Sequence, residues 1–168
     1  MIHIITTGGT FDKEYNYISG QLTFVETHLP EMLKRARCGL DVRVEKLMMI
    51  DSLEMTNHHR DLIASRCRQS TVDQLIITHG TDTMVETATR LADEKDLLSK
   101  TIVITGAMIP YSLGVSSDGF FNLGSALSFV QVLDPGIYIS MNGRCFDWDN
   151  VQKNYNTGFF ERIRHTIQ

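Results

Sequence analysis

The chain has 168 residues, a formal net charge of −4 and three cysteines. This length is typical of a single domain, and the interspersed acidic and basic residues argue against a nucleic acid as the main partner. No apolar run approaches the ~18 residues of a membrane span. The first strand is predicted to begin at Ile2, so no signal peptide is expected, and scattered cysteines without a C-x-x-C pair are typical of a reduced cytoplasmic protein.

Short apolar, β-rich runs alternate with stretches of helical periodicity along the chain. The predicted strands are residues 2–6, 42–50, 73–78, 101–105 and 137–141. The predicted helices are residues 29–36, 56–69, 84–96 and 118–133. This alternation predicts βαβ units, and therefore an α/β fold with a doubly wound, mostly parallel, flavodoxin-like sheet and helices on both faces. The common doubly wound arrangement gives the strand order 2-1-3-4-5.

Several local details follow from the same pattern. Residues 11–24 have no helical period and are predicted to form a surface loop or a loose hairpin. Thr56 is predicted to cap the second helix, with Leu62, Ile63 and Cys67 on its inner face. Asp118 is predicted to open the fourth helix. No strand or helix is assigned beyond residue 141.

A glycine turn, Thr6-Thr7-Gly8-Gly9-Thr10, follows the first predicted strand. It lacks both the dinucleotide fingerprint and the Gly-Lys-Ser/Thr ending of a phosphate loop. Its glycines let backbone N–H groups approach a ligand closely, and Thr10 lies where the chain leaves the sheet. A tight turn with a capping threonine is an equally good interpretation of this stretch alone.

A second turn, Thr78-His79-Gly80-Thr81-Asp82-Thr83-Met84, follows the third predicted strand. Thr81 offers a hydroxyl nucleophile, Asp82 a carboxylate, and the helix that follows offers N–H donors for an anion. A plain helix cap is the ordinary alternative. Ligands bind at the carboxyl ends of strands in open α/β sheets, so two hydroxyl-bearing turns at one edge favour a joint functional site.

Three further residues are candidates for this site. Lys153 lies in a polar tail, where a solvated lysine is the ordinary interpretation, but held against Thr81 and partly desolvated it would act as a base. Ser52 follows the second predicted strand, and helix-entry hydrogen bonding is its alternative. Tyr17 is by itself an exposed loop aromatic. No metal site is predicted, because His58-His59 lacks metal-ligand spacing and a third ligand.

Together these residues resemble the bacterial-type L-asparaginase family. The matching pieces occur in family order across nearly the whole chain. They are Thr6 to Thr10, Tyr17, Ser52, Thr78 to Met84, Gly106-Ala107-Met108-x-Pro110, Ser117-Asp118-Gly119-x-Phe121-Asn122-Leu123, and Lys153.

The resemblance implies the catalytic roles. Thr10 resembles the nucleophile that attacks the side-chain amide, with Tyr17 beside it on a flexible lid loop. Thr81, Lys153 and Asp82 resemble a second triad of hydroxyl, base and orienting carboxylate.

The resemblance also implies the groups that bind substrate. Ser52 and Asp82 resemble the groups that hold the α-carboxylate and α-ammonium of the amino acid. Gly9, Gly80 and Thr81 are assigned to substrate binding as well, with N–H groups near Gly9 and Thr81 forming the oxyanion hole.

The sequence departs from the family pattern in two ways. Leu53 stands where the family usually has a glutamine, and losing such a hydrogen bond costs about 1–3 kcal/mol of binding if the partner stays unsatisfied. Glu54 or a neighbouring chain is the candidate substitute. Family members are also usually longer, with a smaller second domain that completes the site of an adjacent subunit. The resemblance is to the amino-terminal domain, so residues 1–168 are expected to form one domain without the C-terminal asparaginase domain.

The resemblance therefore implies hydrolysis of L-asparagine to L-aspartate and ammonia through a threonine nucleophile, with no metal or organic cofactor. A homo-oligomer, dimer or tetramer, is expected, because a second subunit could close the open side of the crevice. Two alternatives stay open. One is an amidohydrolase acting on glutamine, a D-amino acid or a peptide-linked asparagine, and the other is a domain that binds aspartate or asparagine without turnover.

Overall fold

The main sheet follows the predicted alternation of strands and helices. The structure is a computed structural model and describes residues 1–163. Its strands are β1 (Ile2–Gly8), β2 (Lys13–Asn16), β3 (Gln21–Phe24), β4 (Val42–Ile50), β5 (Gln74–Thr78), β6 (Thr101–Thr105), β7 (Gly136–Met141), β8 (Arg144–Asp147), β9 (Gln152–Lys153) and β10 (Phe160–Glu161). Its α-helices are α1 (Leu29–Arg35), α2 (Asn57–Gln69), α3 (Met84–Ala92) and α4 (Gly119–Val132). Short 3-10 helices span Thr10–Asp12, Ser52–Glu54, Lys95–Ser99 and Tyr111–Ser116.

Six strands form the main sheet in the order β4-β1-β5-β6-β7-β8. The first five run parallel, which confirms both the doubly wound fold and the predicted order 2-1-3-4-5. The sixth strand, β8, pairs antiparallel with β7. Two hairpins, β2–β3 and β9–β10, form separate two-stranded sheets.

The central strands are buried on both faces, which explains their continuous apolar runs. Ile4 and Ile76 pack into the cluster that includes residues of α1 and α4. Their neighbours Ile5 and Ile77 pack on the opposite face, with residues of α2 and α3. Full burial of each isoleucine side chain stabilises the fold by about 1.5–3 kcal/mol. These strands therefore form a rigid base for the turns at their carboxyl ends.

The third predicted helix, residues 84–96, is too long in the prediction. It ends at Ala92, and a separate 3-10 helix spans Lys95–Ser99. Glu94 between them has an extended backbone, and its carboxylate accepts hydrogen bonds or ion pairs from Arg68 and Arg90. Tertiary pairing of this side chain accompanies the break that local periodicity does not reveal.

The predicted inner face of the second helix is wrong at Leu62, which is 41% exposed. Ile63 and Cys67 are fully buried, as predicted. At about 100° per residue, Leu62 lies about 140° from Cys67 around the helix whereas Ala64 lies about 60° from it, so Leu62 falls outside the buried face. Ala64 and Arg60 complete the buried face instead.

Asp118 precedes α4 as predicted but does not cap it with its side chain. Its carboxylate accepts the backbone N–H groups of Met108 at 3.0 Å and Ile109 at 3.0 Å. Asn122 Nδ2 also donates to this carboxylate, at 2.8 Å. Asp118 therefore fixes the loop after β6 rather than the start of the helix.

The prediction misses the hairpin that joins β7 to β8. Asn142 and Gly143 form its turn, with φ of +56° and +73°. Positive φ at both positions is the requirement of the tightest hairpin turns, which favour Asn-Gly. The chain beyond residue 141 consequently contains three strands where none was assigned.

Candidate active site

The carboxyl ends of neighbouring parallel strands meet at one edge of the sheet. Thr7 Oγ1 donates to the Thr78 carbonyl at 2.7 Å and ties the ends of β1 and β5. The His79 amide donates to the Thr105 carbonyl at 2.9 Å and ties in the end of β6. Both glycine turns therefore leave the sheet side by side.

The two turns touch through their glycine backbones. Gly9 has a φ of +76°, and a Cβ atom at this position would lie 2.3 Å from the Gly80 nitrogen. No side chain fits such a distance, so only glycine allows this approach. Thr10 and Thr81 each come one residue after the contact, and the two threonine-bearing turns are therefore neighbours.

Ser52 lies against the second turn from the side of β4. It is 1% exposed, and its hydroxyl oxygen is buried with no hydrogen-bond partner in the described part of the chain. A Cβ at Gly80 would meet that oxygen at 2.4 Å, and Thr83 Oγ1 donates to the Ser52 carbonyl at 2.8 Å. This place beside Gly80 fits the substrate-binding role that the resemblance implies for Ser52. The neighbouring Leu53 is 73% exposed.

Lys153 is held against the second turn, as the sequence-based hypothesis requires. Its Nζ donates to Thr81 Oγ1 at 2.8 Å and to Asp82 Oδ1 at 2.6 Å. The Lys153 side chain is 8% exposed, the Asp82 side chain is 32% exposed and Thr81 is buried. The alternative of a solvated lysine is wrong. The chemical role of each group stays a prediction.

A relay of side-chain amides holds the strand that carries Lys153. Phe160 pairs with Lys153 across the β9–β10 hairpin. The Phe160 amide donates to Asn142 Oδ1 at 2.9 Å, and the Asn142 amide donates to Asn122 Oδ1 at 3.2 Å. Asn122 Nδ2 in turn donates to the Gly106 carbonyl at 2.9 Å. The position of the amine is thus fixed from α4 and from the end of β6.

Sequence reasoning missed Tyr155, which lies beside the amine. Its ring centroid is 5.2 Å from Lys153 Nζ, and its hydroxyl donates to the Asp82 carbonyl at 3.2 Å. The signal that could have found it is its position two residues after Lys153 in a turn rich in Asn and Gly.

His79 is a buried structural group beneath the second turn. Its Nδ1 lies 2.8 Å from the Gly80 carbonyl oxygen, and its Nε2 lies 2.7 Å from Thr87 Oγ1 and 3.1 Å from Met55 Sδ. Burial lowers the pKa of His79 to about 4. The imidazole is therefore neutral at neutral pH, and an N–H at Nδ1 would donate to Gly80.

Thr10 is half-buried and begins the short 3-10 helix beside the Gly9–Gly80 contact.

Tyr17, in contrast, is not brought to the other site residues. Tyr17 lies in the turn between β2 and β3 with 86% of its surface exposed. Within residues 1–163 the hydrogen bonds to Asp12 lie at the base of the hairpin, where its Oδ1 accepts from Thr27 Oγ1 at 3.1 Å and from the His28 amide at 3.0 Å. Among the residues that the structure describes, no hydrogen bond or ring contact links Tyr17 to the other predicted site residues, and its role on a lid stays a prediction.

The proposed oxyanion hole needs one correction. The Gly9 amide donates to the Ile50 carbonyl at 3.0 Å, which continues the pairing of β1 with β4. Because the Gly9 N–H already donates this hydrogen bond, it is a poor candidate for stabilising an oxyanion.

Within residues 1–163, no group of three or more His, Cys, Asp or Glu side chains could hold a metal ion. His59 Nδ1 instead accepts the backbone N–H of Thr56 at 3.1 Å, at the start of α2. Burial raises the pKa of Cys67 to about 12 and that of Cys145 to about 11, as expected of unreactive thiols. In the same range, no helix is long and apolar enough to cross a membrane.

The family model for the N-terminal part of asparaginases matches residues 1–164. The chain belongs to the asparaginase family. Among similar asparaginases, L-asparaginase 1 of Escherichia coli K12 is 29% identical over 167 residues, which cover 94% of this chain and 48% of that relative. The chain thus spans about half the length of the curated relatives it matches.

Solved asparaginase structures share the fold. L-asparaginase I of Vibrio cholerae aligns with a TM-score of 0.83 at 24% identity, over 96% of this chain and 50% of that one. A probable cytoplasmic L-asparaginase of Campylobacter jejuni aligns with a TM-score of 0.74 at 28% identity, over 90% of this chain and 47% of that one. The described sheet and helices are therefore those of an asparaginase N-terminal domain.

Proposed function

We propose that this chain hydrolyses the side-chain amide of L-asparagine to L-aspartate and ammonia. The observation that carries the proposal is the position of Lys153 Nζ, within hydrogen-bond distance of both Thr81 Oγ1 and Asp82 Oδ1. An amine held against a hydroxyl and oriented by a carboxylate has the geometry of an activated nucleophile. Membership of the asparaginase family, and the names of the relatives, support the same reaction.

In the first half of the reaction, the Thr10 oxygen attacks the amide carbon of asparagine. The hydroxyl proton passes to the leaving nitrogen, so ammonia departs and an ester joins the aspartyl group to Thr10. Threonine is a weak nucleophile without help from a base, and the nearby second turn supplies the polar groups for that help. The close approach of Gly9 and Gly80 supports these separate roles, because it places Thr10 of the first turn next to the polar groups of the second turn.

In the second half, water attacks the ester carbon. A proton of the water passes through Thr81 to Lys153, which must first give up the proton it donates to Thr81 Oγ1. The ester bond to Thr10 then breaks, and the same proton returns from Lys153 to the Thr10 oxygen as aspartate leaves. Asp82 orients the amine and holds the resulting ammonium form. The low exposure of the lysine side chain keeps competing water away from this proton transfer.

Ser52 is the proposed partner of the substrate's α-carboxylate. The position of its hydroxyl against Gly80, beside the second turn, supports that role. Leu53, which follows it, cannot supply a hydrogen bond to the head group, so recognition of a free amino acid rests on fewer polar groups than the resemblance implies.

The test is ammonia release by the purified chain and by Thr10→Ala, Thr81→Val and Lys153→Met, each made separately. We expect L-asparagine to be the best substrate, by kcat/KM, in a panel with L-glutamine, D-asparagine and a peptide-linked asparagine. Near wild-type ammonia release in all three variants would defeat the proposal. Thermal stabilisation by aspartate without any ammonia release would favour a binding domain instead.

We also propose that the chain works as a cytoplasmic homo-oligomer, a dimer or tetramer, with the site near an interface. The support is an apolar rim on the loop after β6, in which Met108, Ile109, Leu113 and Val115 are all exposed. Exposed apolar patches of this kind mark interaction surfaces. Light scattering of the purified chain tests the assembly, and a monomer at micromolar concentration with full activity contradicts it.

A further inference from the structure

We propose that Tyr155 is a positioning residue that covers the solvent side of the Lys153 amine and fixes the Asp82 backbone. This role rests on the proposed function, because it assigns Tyr155 to the same site. Tyr155 is not expected to touch the reacting atoms. It acts through the two groups that it contacts.

The first step of the argument concerns the burial of Lys153. The residue lies in a two-residue strand outside the main sheet, where a lysine side chain would ordinarily reach water. Its side chain is nevertheless only 8% exposed. Thr81 and Asp82 contact Nζ through their oxygens, and the Tyr155 ring covers it at 5.2 Å. The ring is thus part of the cover that keeps water from the amine.

The second step concerns the orientation of the ring. The Tyr155 hydroxyl donates to the Asp82 carbonyl at 3.2 Å. Asp82 is therefore linked to the β9–β10 hairpin twice, by its carboxylate to Lys153 and by its backbone to Tyr155. A ring held at its far end in this way stays over the amine, at a separation typical of an ammonium over an aromatic face.

The third step concerns the turn that presents Tyr155. The Asn154 amide donates to the Phe159 carbonyl at 2.8 Å, and the Gly158 amide donates to the Asn154 carbonyl at 2.8 Å. Asn154 Oδ1 accepts the Asn156 amide at 3.0 Å. Tyr155 itself is 71% exposed, so its outer face looks into solvent while its inner face covers Lys153. A change of this exposed side chain is therefore expected to leave the fold intact.

Two substitutions separate the ring from the hydroxyl. Tyr155→Ala removes both, whereas Tyr155→Phe keeps the ring over the amine and loses only the hydrogen bond to Asp82. Phe159→Ala is the matched control, because Phe159 is an exposed aromatic of the same turn, 60% exposed. Circular dichroism and thermal unfolding check that each variant folds.

The readout that does not need turnover is acetylation of lysines by N-hydroxysuccinimide acetate, followed by mass spectrometry. The exposed Lys95 serves as the internal standard. We expect the labelling of Lys153 relative to Lys95 to rise several-fold in Tyr155→Ala, to rise less than about twofold in Tyr155→Phe, and to stay at the wild-type level in Phe159→Ala. Unchanged labelling in a folded Tyr155→Ala variant overturns the proposed cover, whatever reaction the protein catalyses.

The second readout is turnover of L-asparagine. We expect kcat to fall about tenfold in Tyr155→Ala with KM within about twofold of wild type, and about threefold in Tyr155→Phe, which keeps the ring but loses the bond to the Asp82 carbonyl. A folded Tyr155→Ala variant with wild-type kcat overturns the positioning role. If the wild-type chain releases no ammonia, the proposed function fails, and the labelling experiment still decides whether Tyr155 covers the amine.

Discussion

The two glycine turns of the site differ in how firmly their side chains are held. In the second turn, Thr81 and Asp82 are joined to Lys153 by short hydrogen bonds, with His79 buried beneath. The first turn leads instead into the β2–β3 hairpin, where residues 15–22 are exposed. Tyr17 at its tip is the most exposed of the predicted site residues.

This contrast teaches which functional residues a sheet can position by itself. The second turn and Lys153 are held by packed strands and by the Asn122–Asn142 relay, so their geometry is built into the fold. A projecting hairpin is held only at its base, and regions with few buried contacts open at low free-energy cost. The second turn is therefore the pre-organised half of the site, and the hairpin is the adjustable half.

The largest expected effect is that of Lys153→Met in the pre-organised half. Methionine keeps the apolar stem and removes the base, so kcat should fall by about 10²–10⁴-fold, the usual contribution of a general base. Steady-state ammonia release measures it. Lys95→Met is the control, because Lys95 is exposed in the short 3-10 helix after α3 and should leave kcat unchanged. A general base usually contributes at least about 10²-fold to kcat. A fall in kcat of less than threefold in Lys153→Met would therefore show that Lys153 is not the base.

The contact between the two turns predicts a large loss of stability in Gly9→Ala. The new methyl group would meet the Gly80 nitrogen at 2.3 Å at a positive φ. We expect the free energy of unfolding to fall by about 3 kcal/mol or more, because the methyl group would overlap backbone atoms that cannot move aside and would also strain the backbone at a positive φ. Urea denaturation measures it. Gly39→Ala is the control, since nothing lies within 4 Å of its added Cβ, and an equal loss in the two variants would contradict the close contact.

The fold could be predicted from the sequence wherever one strand or helix carries its own signal. The bounds of β4 and β6 are as predicted, and the strand order follows from the alternation of elements. The Asn142-Gly143 turn carries an equally local signal, because Asn-Gly favours the positive φ of a two-residue hairpin. The early end of α3 is accompanied by the ion pair of Glu94 with Arg68 of α2, a tertiary contact that no local pattern contains.

The site divides in the same way. The turns at the ends of β1 and β5 could be predicted, because parallel strands bring their carboxyl ends together. The composition around Lys153 favours a solvated lysine, so local sequence offers its contact with Thr81 only as the less ordinary interpretation, which the family resemblance supports. The position of Tyr155 beside Asp82 depends on the shape of a hairpin turn. The hydrogen bond that occupies the Gly9 amide depends on the register of β1 against β4. These are tertiary facts, so sequence periodicity could not supply them.

The buried histidine of the second turn predicts a pH dependence of stability. The pKa of His79 is about 4 in the folded protein against 6.5 for an ordinary histidine, so the unfolded chain binds more protons between these values. The contribution of His79 to the free energy of unfolding should therefore be fully present above pH 6.5. It should be lost as the pH falls towards 4, by about 3 kcal/mol in total.

Urea unfolding at a series of pH values measures this dependence, with His79→Gln as the comparison. The variant should lose this part of the slope, although it is expected to be less stable at neutral pH. An identical slope in the two proteins between pH 4 and 6.5 would assign the pH dependence to other groups.

The smallest expected effect on stability belongs to the adjustable half. Tyr17→Ala should change the free energy of unfolding by less than about 0.5 kcal/mol, because its side chain is almost wholly in water. If Tyr17 has the catalytic role that the family resemblance implies, kcat should nevertheless fall. Tyr15→Ala, on the adjacent strand and 56% exposed, is the control. A fall in kcat that is the same in both variants would show that the hairpin matters as a whole and that Tyr17 has no special part.

The separation of the β2–β3 hairpin from the six-stranded sheet has a consequence for engineering. Its anchors are concentrated at residues 12–14, through Asp12, the Lys13–Asp51 ion pair and the bond from Ser112 Oγ to the Lys13 carbonyl at 2.8 Å. The outer part, residues 15–22, can be exchanged as a cassette between these anchors without cutting any strand of the main sheet. Libraries confined to that cassette would vary the exposed part of the hairpin while the hydrogen bonds of Lys153 with Thr81 and Asp82 stay unchanged.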